Sequence, residues 1–188
     1  SVLFAAWDFE EVFTNGFPTG SNHWYTKYVK NKQNTNWVEI GSGGVINIQD
    51  IKGNLNFDMF GNPQLKKKDK YLLWVCYAKD KHVEFANKYA KTITNYVREI
   101  EAVEHGPLIF SDHYTFAARR IPSVENLESD YLNDPFYHSS KDNLQNADNI
   151  NFEFATNVTK GGLAFLLDCT LPKHLFVNFG YPYQTNVI

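Results

Sequence analysis

Two imidazoles and a carboxylate fall within nine residues at His105, Asp112 and His113, in the run HGPLIFSDH, the densest group of chemistry-bearing side chains in the sequence. Histidine is the commonest metal ligand and general base, so this run is where a site is sought first. If Leu108 to Ala117 is a strand, Asp112 and His113 point to opposite faces, and only one of them can share a pocket with His105 unless the strand bulges. Asp8 closes an otherwise apolar opening run, and a carboxylate on a covered strand requires a partner. His105, Asp112, His113 and Asp8 are therefore the catalytic candidates, as parts of a small metal-dependent hydrolase. His82 with Glu84, and His23, His138 and His174, have no partners at ligand spacing and read as surface or capping residues. Outside that hydrolase alternative, neither a metal nor a cofactor is expected.

Cys76 and Cys169 sit in apolar runs, where a thiol behaves as a small core residue rather than a nucleophile. Two cysteines do not make a disulfide scaffold, though one bridge or two buried thiols both fit.

Recognition is the other chemistry on offer. Fifteen Phe, 11 Tyr and 4 Trp make up 16% of the 188 residues. In 22–30 and 176–183 the rings stand beside Asn, Gly and Pro, as on a recognition surface. Trp24, Tyr25, Tyr28, Tyr181 and Tyr183 are the ligand-binding candidates, against the plainer reading that a strand-rich core needs large side chains. Lys66 to Lys70, with Lys79, Lys81 and Arg119-Arg120, could line a single-stranded nucleic-acid groove. A net charge of −3 opposes that use. Gly41-Ser42-Gly43-Gly44 resembles a phosphate cradle only until Val45-Ile46-Asn47-Ile48, which reads as strand where a cradle needs a helix. The sequon Asn157-Val158-Thr159 would matter only in a secretory setting.

The elements that must position these residues follow from periodicity. Ser1 to Phe9 and Tyr71 to Ala78 are apolar at odd and even positions, as in strands covered on both faces. Residues 13–21 read as a loop, 23–30 as a one-sided strand, 37–40 and 45–51 as a hairpin about the glycines, and 54–59 as a strand halted by Gly61-Asn62-Pro63. From His82 to Glu104 apolar residues recur at steps of three and four, predicting a helix of roughly 35 Å that ends at His105-Gly106-Pro107. Leu108 to Ala117 returns as strand, making a β-α-β unit at 70–117. Residues 121–149 form a long polar surface excursion, and 150–155, 163–171 and 175–179 form a three-stranded meander. The whole is one α+β domain, 1–188: a strand-rich, mainly antiparallel sheet packed by one long amphipathic helix, about 82–104.

With no recognisable catalytic motif, the reading leans away from an enzyme. It favours a non-enzymatic binding or self-assembling structural protein, of viral or particle-forming type, that meets itself, another protein or a glycan through aromatic surface. The metal-dependent hydrolase at His105, Asp112 and His113 and the single-stranded nucleic-acid domain at Lys66 to Lys70 are its alternatives, with nucleic acid disfavoured as a partner. No stretch approaches the roughly 18 to 20 apolar residues of a membrane span. Ser1 fits a trimmed initiator or a cleaved leader, so a cytoplasmic or virion setting is favoured and secretion stays open.

Overall fold

The computed structural model describes residues 2–36, 39, 44–143, 145–146 and 150–170. Its architecture is α+β. In chain order the elements are β1 (Phe13–Thr14), β2 (Phe17–Pro18), α1 (Thr19–Tyr28), β3 (Val29–Lys30), β4 (Ile46–Asn47), β5 (Asn54–Phe57), β6 (Lys66–Lys67), β7 (Lys70–Tyr77), α2 (Val83–Tyr96), β8 (Ile100–His105), α3 (His113–Ala117), β9 (Ser123–Glu128) and α4 (Phe152–Thr170). The main sheet runs β5-β9-β7, with β6 and β8 also paired to β7. Pairing is mixed: β5 with β9 and β7 with β8 are parallel, whereas β7 with β9 and β6 with β7 are antiparallel.

β7 is the doubly covered strand its composition predicts, and Cys76 within it is fully buried. Leu73, Val75 and Tyr77 face the principal core with Ala86, Tyr89, Ala90 and Ile93 of α2 and Phe154, Val158 and Phe165 of α4. The alternation of β9 divides the two sides of the sheet. Asn126 meets Tyr89 of α2 through a 3.0 Å hydrogen bond, and Glu125 turns the other way, toward His113 of α3. On that second side α1 and α3 enclose a smaller core of Tyr25, Val29, Phe116 and Ile121.

The β-α-β unit exists with shifted boundaries. α2 stops at Tyr96 and the return strand is β8, parallel to β7 from Tyr71↔Ile100 to Cys76↔His105. Ile100 and Ala102 alternate with Glu99 and Glu101, a period of two that ends the helix about two turns short of Glu104. Consequently 108–117 is not a strand; it is an irregular run followed by α3.

Four further expectations are corrected. Residues 2–9 form no strand, and Val2 to Ala6 are exposed, because no described strand takes up their ladder groups. Residues 23–30 belong chiefly to α1, in which Ser21 and Tyr25, four apart, are the buried pair. The polar stretch 121–149 contains β9, whose six residues are all buried. The meander is replaced by α4 over 152–170, with 175–179 outside the described residues. Gly161 and Gly162, which fall between the strands expected at 150–155 and 163–171 and so look like a turn, lie inside α4 where a Cβ would come within 2.8 Å of Ile93 Cγ1 and collide with the Phe57 ring. The missing side chains let α4 close onto α2 and β5. The hairpin proposed about 41–44 falls largely outside the described residues; of 45–51, only Ile46–Asn47 is strand, parallel to β3.

A candidate active site of clustered carboxylates

β5 and β9 lie side by side and parallel, so their carboxyl ends share one edge of the sheet, the edge at which open sheets commonly bind ligands. Asp58 is the first residue beyond β5. Ser111 donates to its Oδ2 at 2.8 Å, and Asn56 in turn donates to Ser111 Oγ at 2.7 Å; both of these partners are buried.

Glu10 and Glu11 reach the same edge on the segment before β1. Trp7 anchors that segment, its ring 5.3 Å from Trp24 of α1 and 6.1 Å from Phe116 of α3. The chain then turns through Phe9, at φ 56, and presents two successive carboxylates. Glu11 Oε1 meets His138 Nε2 at 3.0 Å, and the Tyr137 ring stacks on that imidazole at 4.0 Å. Glu11, Asp58 and His138 border a pocket of about 380 Å³ completed by Met59, Glu128 and Phe136 among others.

Glu10 carries the decisive electrostatics. Its Oε1 is buried without a hydrogen-bond partner. Burial first, then the neighbouring Asp58, Glu11 and Asp112 carboxylates, push its pKa up to about 7. Behind it, Asp112 also leaves Oδ1 buried and unpartnered, and burial raises its pKa. Deeper still, Glu125 Oε2 stands 3.1 Å from His113 Nδ1 with both side chains buried. Burial lowers the His113 pKa to about 4 and, with Asp58, Glu10 and Asp112, raises that of Glu125. The contact is not aligned as a hydrogen bond. Its protonation is nonetheless consistent, since His113 Nε2 donates to the Leu108 carbonyl at 2.9 Å and leaves Nδ1 bare beside a protonated carboxyl.

The sequence candidates are thus dispersed. Asp112 and His113 join the buried network behind Glu10. His105 stands exposed at the end of β8, stacked on Trp74 at 4.1 Å, and Asp8 is exposed, accepting the Phe9 N–H at 2.9 Å. Tyr25 lies in the second core with Trp24 against it, and Tyr28 packs tilted against Trp24; none of the three borders the pocket. Tyr181 and Tyr183 are outside the described residues. Cys76 and Cys169 are both free; Cys76 is buried, with its thiol pKa raised by burial, while Cys169 is exposed rather than packed in a strand. Lys67 and Lys70 of the lysine lip pair with Glu101, at 3.0 and 3.9 Å.

Glu10, Glu11, Asp58 and His138 are the residues that local spacing did not single out. One signal was present: adjacent glutamates after an apolar run, and an aspartate closing an alternating strand, both at element ends. Among the described residues no three such groups already stand at ligand spacing. The donor set nevertheless suits a small divalent cation, because two carboxylates and an imidazole border one pocket beside a buried Glu10 carboxyl oxygen that lacks a hydrogen-bond partner.

The model of peptidase family M28 matches residues 1–160 of this chain. The chain belongs to peptidase family M28. That membership overturns the expectation of a viral or self-assembling structural protein and favours the hydrolase alternative. The M28 chain is also similar to the Legionella pneumophila LapA aminopeptidase, at 26% identity and a TM-score of 0.51 over 62% of this chain and 30% of that one. A second LapA structure gives 26%, 0.50, 63% and 32%. Tannerella forsythia glutaminyl cyclase matches at 18% identity with a TM-score of 0.45, over 81% of this chain and 46% of that one. No curated protein matches. The M28 chain spans about a third of the length of the LapA structures it matches.

Proposed function

We propose that this chain carries the catalytic edge of a metal-dependent peptidase that removes N-terminal residues, with Glu11, Asp58 and His138 as metal ligands and Glu10 as general base. The observation that supports this most is the unpartnered, buried Oε1 of Glu10 near the Glu11, Asp58 and Asp112 carboxylates, beside the Glu11–His138 contact. Membership of a peptidase family supplies the reaction class, and the LapA neighbours, described as aminopeptidase, supply the substrate end.

A divalent ion held by these ligands would polarise the scissile carbonyl and acidify a water molecule. Glu10 takes a proton from that water as its oxygen bonds to the carbonyl carbon. The same carboxyl then returns the proton to the departing amine nitrogen as the C–N bond breaks, so protons balance over the cycle. Burial raises the pKa of this carboxyl, the direction that lets it hold the proton between the two steps. Ser111 and Asn56 hold the Asp58 carboxylate in place, and Tyr137 holds the plane of His138.

Cleavage of an aminoacyl-p-nitroanilide by the zinc-loaded protein tests the assignment. Glu10→Gln should lower kcat by about 10²–10⁴ with zinc still bound. A Glu10→Gln protein as active as the wild type would exclude Glu10 as the base.

A further inference from the structure

Glu128 ends β9 next to the point where β5 gives way to Asp58. Its Oε2 accepts the backbone N–H groups of Gly61, at 2.8 Å, and Asn62, at 2.5 Å, while its own N–H donates to the Met59 carbonyl at 2.8 Å. The residues so captured are the turn that follows Asp58, and Met59 within it holds a left-handed φ of 52°. Non-glycine residues resist that conformation, so something must hold the turn there. Glu128 is 4% exposed and borders the same pocket as Glu11, Asp58 and His138.

We infer that Glu128 is a positioning residue of the site: by gripping the Gly61 and Asn62 amides, its carboxylate fixes the 59–62 turn and, through it, the direction in which Asp58 faces the cation. The inference rests on the proposed role of Asp58 as a ligand. It assigns to Glu128 no contact with substrate.

The grip depends on charge. A carboxylate accepts amide hydrogen bonds about twice as strongly as a neutral carbonyl oxygen. Burial, partly offset by the Asn62 and Gly61 N–H groups and reinforced by Asp134 and Asp142, places the Glu128 pKa at about 7. The other charged and titratable groups lining the pocket are Glu11, Asp58, Tyr137, His138 and Lys141, while β7 sets Leu73 opposite it. The turn is therefore held firmly above neutrality and loosely below it.

Amide NMR of the metal-free chain between pH 5 and 9, paired with Zn²⁺ affinity at pH 6 and 8, tests this. In the wild type the Gly61 and Asn62 amide protons should shift together with one midpoint near 7. In Glu128→Gln that transition should vanish. Zn²⁺ affinity of Glu128→Gln should match the wild type at pH 6 and fall about tenfold below it at pH 8, the usual size of an outer-shell effect. Amides that keep their transition in Glu128→Gln, or do not titrate in the wild type, would overturn the grip. Loosened amides with equal affinities at pH 8 would overturn the positioning role. A wild type that binds no Zn²⁺ overturns the proposed function and the positioning role with it; the grip is still decided separately, because the amide titration needs no metal.

Discussion

Glu11 Oε1 and His138 Nε2 meet at 3.0 Å although the two residues are 127 positions apart in the chain. With side chains 73% and 57% exposed, the contact contributes little to folding as an ion pair. Its importance is geometric, since it brings the segment before β1 and the segment after β9 together over Asp58.

Glu10 makes the metal-free fold pH-sensitive in a defined direction. A carboxyl whose pKa rises from 4.5 unfolded to about 7 folded binds its proton more tightly in the native state. Its penalty is absent below the unfolded value, grows as pH rises from about 4.5 to 7, and is complete above that. Glu10→Gln mimics the protonated form, so the variant should melt at a higher temperature than wild type at pH 7.5, with the gap closing near pH 5. Calorimetry of both proteins in chelator checks this; a gap that widened toward pH 5 would contradict it.

Ser111 connects Asn56 to Asp58, so Ser111→Ala should act on the metal more than on the fold. Loss of both its hydrogen bonds, from Asn56 and to Asp58, costs about 1–3 kcal/mol of stability. Loss of the group that orients a ligand should weaken Zn²⁺ binding about 10- to 100-fold. Denaturant unfolding and metal competition on the same variant separate the two effects.

Gly161→Ala should be destabilising by about 1–3 kcal/mol, because its Cβ would drive into the fully buried Ile93 side chain of α2. A shift of the urea midpoint at constant slope would report it, whereas an unchanged midpoint would mean that α4 can draw back from α2.

β7 is legible in the sequence because Tyr71 to Ala78 is apolar at both parities, and the start of α2 because its stripe recurs at helical steps. β9 is not, although all of it is buried. Its polar letters meet partners far away in the chain: Glu128 is compensated by Gly61 and Asn62 and Asn126 by Tyr89, while Glu125 lies against His113. α4 misreads as strands because two glycines that permit close helix packing look like a turn. Of the site, Asp112 and His113 could be picked out locally as chemistry-bearing, though not their placement behind Glu10. His138 could not, since nothing near it in the chain suggests the partner it finds at Glu11.

A Co²⁺ titration of the wild-type chain and of Glu11→Gln, Asp58→Asn and His138→Ala, followed by the visible spectrum of the bound ion, tests the metal site most directly. The predicted result is a saturable absorption in the wild type that each substitution weakens by at least about tenfold. A wild type that shows no saturable binding, or three variants that bind as the wild type does, would contradict it.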